Sequence, residues 1–113
     1  MKNIDSYTHV RGESIYLDDM PVVAGTLYGA CFDSPIAHGK LISIDIADAE
    51  KSEGVVRILT HKDITGENQI GGIIPDEPLL AYHHVHFCGM PVAFVLANSD
   101  EHARAALKKI KVN

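Results

Sequence analysis

Residues 91–97 read PVAFVLA, seven in a row with no polar side chain. The run is too short for a helix and is framed by Gly89 on one side and Asn98-Ser99 on the other, so it reads as a buried strand. It is apolar on both faces, which predicts a central strand covered on both sides. Pro91 occupies the first strand position, where the missing N–H does least harm. Asn98 or Ser99 then caps a helix over SDEHARAALKKI. Ala103, Ala106, Leu107 and Ile110 fall at i, i+3, i+4 and i+7 and form one apolar stripe. Asp100 and Glu101 open this helix and Lys108 and Lys109 close it, which suits its dipole.

Around this strand–helix pair the chain divides at proline and glycine. Residues 1–12 are polar and aperiodic and predict an extended arm, leaving 13–113 as one domain. Strands are expected at 13–17 and at 25–32, the second stopped by Asp33-Ser34-Pro35. LISIDI, residues 41–46, alternates Ile42, Ile44 and Ile46 with Leu41, Ser43 and Asp45 and is the clearest half-buried strand by period. Asp45 is placed to cap a short helix over 47–52 that Gly54 ends. VVRIL at 55–59 is a further strand, and Thr60 to Asp63 has capping-box spacing for one turn. Residues 65–78, with three glycines and two prolines, form a long loop. Loops of that length in small domains tend to act or to touch a partner. A strand over 83–87 completes a β-β-β-α-β-loop-β-β-α order. That order predicts an α/β (α+β) domain with a mixed β-sheet and two main helices, without repeats.

The chain of 113 residues carries a net charge of −5. That balance, with its basic residues scattered, excludes a nucleic-acid surface and an anionic-membrane surface. No stretch is long and apolar enough for a membrane span, and MKNIDSYTHVRGE has no signal-peptide core. The expected compartment is the cytoplasm, with Cys31 and Cys88 as free thiols.

Chemistry is concentrated in AYHHVHFCGM, residues 81–90. On a strand His84, His86 and Cys88 share one face while His83 and Val85 share the other. His84 and Cys88 lie roughly 13 Å apart at strand rise, too far for one zinc ion to hold with its short bonds. His84 and His86 can share an ion only if further ligands arrive from elsewhere; His61 and Asp76 are candidates without a spacing signature of their own. The simpler reading is a solvated strand face. Cys88 sits in a tight turn with no visible activating group. His38 reads as a loop residue holding its turn by hydrogen bonds. Asp18-Asp19 and Asp76-Glu77 read as solvated turns, and Gly71-Gly72 lacks a phosphate-loop context.

The order of RGESIYLDDMP, AGTLYGACFDSPIAHGKLISIDIADAEKSEGVVRILTHKDITGENQIG, DEPLLA, the Phe-x-Gly-x-Pro-Val-Ala-x-Val run and HARAALKKIKV resembles one domain family from about Val10 to Val112. This is the α/β hammerhead domain of the molybdenum-binding subunit of xanthine dehydrogenases and aldehyde oxidases. Ser34-Pro35, His38-Gly39, Gly54-Val55, Leu59-Thr60, Asp63-Ile64, Gly66-Glu67-Asn68 and Ala103-Arg104 carry the resemblance together. It departs at Met90, where the family usually has a polar residue.

The resemblance implies a parent oxidoreductase that hydroxylates purines, N-heterocycles or aldehydes with water, using molybdopterin. Electrons would leave through [2Fe-2S] clusters to FAD on other domains or subunits. No catalytic, cofactor-binding or metal-binding residue transfers to this stretch, so on its own it is expected to be a non-catalytic scaffold. Its partners would be the downstream molybdopterin-binding domains and the iron–sulfur and FAD subunits. Met1, with no iron–sulfur sequence ahead of it, suggests a parent whose molybdenum subunit is a separate polypeptide. Asn68, Gln69, Asp76 and Glu77 in the long loop are the candidate interface residues. The alternative is a small stand-alone metal-binding protein using His84 and His86; a thiol enzyme using Cys88 is a third reading.

Overall fold

The structure, a computed structural model, describes residues 5–113. Its elements run α1 (Asp5–Val10), β1 (Tyr28–Asp33), β2 (Gly39–Lys40), β3 (Ile44–Asp45), α2 (Ala47–Glu50) and β4 (Val55–Leu59), then β5 (His84–Val85), β6 (Pro91–Ala97), α3 (Asp100–Leu107) and β7 (Lys111–Val112). The α/β class holds, with α2 and α3 on the sheet and α1 outside it.

PVAFVLA is the middle strand of a three-stranded sheet ordered β1-β6-β4. Every strand pairing described is antiparallel, where a mixed sheet was expected. Only one face of β6 is covered along its length. Ala93, Val95 and Ala97 are buried with Ala49, Ala103, Ala106 and Ile110 against α2 and α3. On the other face Val92 is buried but Phe94 and Leu96 stay half-buried, so the expected cover on both sides is partial. The stripe of small residues on α3 is what lets helix and sheet approach closely. Ser99, with extended backbone, is the cap: its hydroxyl accepts the His102 N–H at 3.2 Å.

LISIDI does not run as one strand. Leu41 is buried and its N–H donates to the His83 carbonyl at 2.8 Å, extending the β2–β5 ladder. Ile42 is exposed, and its N–H donates instead to the Asn113 carbonyl at 2.7 Å, opening the β3–β7 ladder. The chain changes partners between these two residues, and the side-chain alternation reverses there. Leu41 therefore packs with Ala81, Val85, Met90 and Val92 in a second core cluster, and Phe32 and Ile44 touch both clusters. β7 was not anticipated, because two residues carry no period.

Two N-terminal expectations fail. Within the expected extended arm, residues 5–10 are helical, supported by Arg11 lying 4.9 Å over the Tyr7 ring one turn away; residues 1–4 lie outside the described residues. The strand expected at 13–17 has no sheet edge to pair with, and Leu17–Asp19 forms a 3-10 turn whose Asp19 carboxylate accepts the Tyr16 N–H at 3.1 Å. Alternation alone cannot make a strand without a partner.

Candidate functional site

The histidine-rich stretch lies on β5 and the turn that follows. β2 pairs with β5 so that Gly39 faces Val85 and Lys40 faces His84. Continuing that register places His38 opposite His86, and opposed residues share a face. The three imidazoles gather accordingly, with ring centroids 6.5 Å apart for His38–His84, 5.9 Å for His38–His86 and 6.2 Å for His84–His86. His38 thus does not hold its turn by hydrogen bonds; the turn is held by Ser34, whose hydroxyl donates to the Ile36 carbonyl at 2.9 Å. As the side chains stand, no three His, Cys, Asp or Glu among the described residues surround a common ion position.

The other ligand candidates sort by position. His61 does not join the patch; it lies beside Tyr82, at 6.2 Å between rings. Burial, the Lys62 charge and His83 hold its pKa below the ordinary imidazole value, against a smaller opposite pull from Asp63. Asp76 borders a hollow that His84 and His86 also line. Cys88 turns away into the β5–β6 connection, where its thiol donates weakly to the Ser34 carbonyl at 3.6 Å. Gly89 adopts φ +91° in that tight turn, as FCGMP implies. Cys31 is free as well, and burial, then Asp33, push its pKa up, away from thiolate.

Met90 is 1% exposed and belongs to the second core cluster. Its sulfur takes the His86 N–H at 3.4 Å and its carbonyl takes the Ser34 N–H at 2.9 Å. A soft, unbranched side chain therefore fills this buried position and still accepts one hydrogen bond.

The 65–78 loop has no helix or strand, as expected. Its ends are pinned. The Asn68 amide donates to the Leu80 carbonyl at 2.7 Å and accepts the Leu80 N–H at 2.9 Å. Gln69 donates to the Gly71 carbonyl at 2.8 Å, and the Ile70 N–H donates to the Glu77 carbonyl at 2.8 Å. Asp76 and Glu77 are left exposed, and with Glu67 they rim a groove of about 490 Å³ under the loop. Of the four candidate interface residues, Asn68 spends its amide on Leu80 and Gln69 on Gly71, and the two acids stay exposed.

A family model described as "Aldehyde oxidase and xanthine dehydrogenase, a/b hammerhead domain" matches residues 11–113. The chain belongs to this family. The hammerhead chain is 38% identical over 110 residues to "Xanthine dehydrogenase 1" of Arabidopsis thaliana, spanning 97% of itself and 8% of that protein. It is 38% identical over 111 residues to "Aldehyde oxidase 1" of Bos taurus, again spanning 97% of itself and 8% of that protein. Among solved structures it superposes on the aldehyde oxidoreductase of Desulfovibrio gigas with a TM-score of 0.83 and 34% identity, covering 97% of this chain and 13% of that one. The hammerhead chain is thus a small part of the length of the relatives it matches.

The molybdopterin that the family implies carries an anionic phosphate, which proteins hold with basic side chains or converging backbone N–H groups. The 490 Å³ groove offers Glu67, Asp76 and Glu77, with no Lys or Arg in its lining. That groove does not fit the cofactor.

Proposed function

We propose that this hammerhead chain is a non-catalytic scaffold domain of a cytoplasmic molybdenum hydroxylase that oxidises purines, N-heterocycles or aldehydes with water. It supports the molybdopterin-binding domains of the same polypeptide and helps to dock the iron–sulfur and FAD partners. The observation that carries this reading is the apolar surface left open by so small a chain. Val10, Leu17 and Ile73 are 83%, 82% and 97% exposed. An almost wholly apolar hollow of about 360 Å³, lined by Leu59, Ile64, Leu79 and Phe94 among others, opens beside the half-covered sheet face. Surfaces of this kind mark contact with another protein surface. The acidic rim of the 65–78 loop, Asp76 and Glu77, is the polar part of the same interface.

The hydrogen bond from Ile70 to Glu77 makes a clean test possible. Replacing residues 71–76 by Gly-Gly in the full-length enzyme leaves a two-residue turn between positions whose backbones are hydrogen-bonded at 2.8 Å. The domain is expected to stay folded while association with the iron–sulfur and FAD partners weakens at least tenfold in a pull-down titration. Association at the wild-type level would remove the loop from the interface.

A further inference from the structure

We propose that His38, His84 and His86 form a surface site for one borderline transition-metal ion, such as Zn(II), Ni(II) or Cu(II), completed by water. The site stands on this chain's own strands and is independent of the scaffold reading. Three of the chain's seven histidines meet on one patch, brought there by two different strands. The pattern is a His-x-His pair on β5, whose alternate side chains share a face, crossed by a third histidine directly opposite on the neighbouring strand. Imidazole is a ligand that suits these ions, and three of them leave an open position for water.

The distances permit convergence. In a tetrahedral site with metal–nitrogen bonds of about 2.0–2.1 Å, three imidazole rings around one ion have centroids about 5.2–5.6 Å apart. Here they stand 5.9, 6.2 and 6.5 Å apart, so each pair must close by less than about 1.5 Å. All three side chains are exposed, and rotation about their χ angles supplies that shift without moving the backbone. No described residue engages any of their ring nitrogens by hydrogen bond or ion pair, so no protein contact has to break. Lys40 sits opposite His84 on the same face and opposes a cation, while the Asp76 carboxylate borders the hollow and favours one.

The test uses the tag-free full-length protein, stripped with chelator and desalted, titrated with Cu(II), Ni(II) or Zn(II) by calorimetry. Wild type is expected to bind one more equivalent than His84→Ala or His86→Ala. His38→Ala should weaken that equivalent at least tenfold, and His83→Ala, on the opposite face of β5, should leave it unchanged. The Cu(II) spectrum should show coupling to three nitrogens, falling to two in His38→Ala. Circular dichroism checks that each variant is folded, and His38→Gln serves as a second variant. Wild-type affinity in His38→Ala and His38→Gln would overturn the site, leaving a His-x-His chelate alone; so would equal loss in His83→Ala.

Discussion

At the scale of single residues, the backbone of Gly54 and the carboxylate of Asp63 each settle a local structure. Gly54 ends the α2 turn at φ +73°, and a Cβ there would lie 2.1 Å from His102 Nδ1 on α3. Gly54→Ala is therefore penalised twice, about 1–2 kcal/mol for the left-handed backbone and more for displacing His102. A urea midpoint well below wild type, with unchanged slope, is the expected result. Asp63 accepts the Thr60 N–H at 2.8 Å and the Arg57 guanidinium at 3.1 Å. The Thr60 backbone first, then Arg57, hold its carboxyl below the usual carboxylate range. Because the folded carboxyl gives up its proton more readily than the unfolded one, its contribution is complete above the unfolded value near 4. It drains away as pH falls through the lower folded value. The stability gap between wild type and Asp63→Asn should thus be widest near neutrality and close in acid, as urea titrations across pH 2–7 would show.

At the scale of elements, the turn between β5 and β6 anchors the second core cluster. Met90 carries that connection, being buried and bonded at both its sulfur and its carbonyl. Met90→Ala should cost about 2–5 kcal/mol in denaturant unfolding, whereas Met90→Leu, of similar volume, should cost less than about 1.5. Close approach shapes the sheet as well. The tip of the Phe94 ring lies over Gly29 on β1, where an added Cβ would meet Phe94 Cζ at 2.3 Å. Strand β6, helix α3, strand β4 and the Thr60–Asp63 turn were all legible in sequence because each is decided locally, by apolar period, by Ser99 or by a capping pair. LISIDI reads as a single strand in sequence and is not one, for the opposite reason. Its period is real, but its hydrogen bonds go to two different partners, and neither partner is near it in sequence.

At the scale of the whole molecule, the chain is spread out. Its radius of gyration is 18.6 Å, where a compact domain of about this length has about 13 Å. The excess belongs with the N-terminal region, since among the described residues none before Ser34 is buried. Removing residues 1–24 should therefore shift folding stability by no more than about 0.5 kcal/mol, read from the urea midpoint, while weakening association with the rest of the enzyme. No helix among the described residues is long and apolar enough to cross a membrane.

The sequence by itself determined the α/β class, the family, the central strand and the last helix, because apolar period, caps and collinear motifs are all written along the chain. Only the tertiary structure decided which faces stay open, that Asn68 clips the loop to Leu80, and that His38 joins His84 and His86. The histidine patch depends on strand pairing between segments more than forty positions apart. The register of β2 on β5 is set by packing Leu41, Val85 and Met90 into one cluster, which no local spacing encodes.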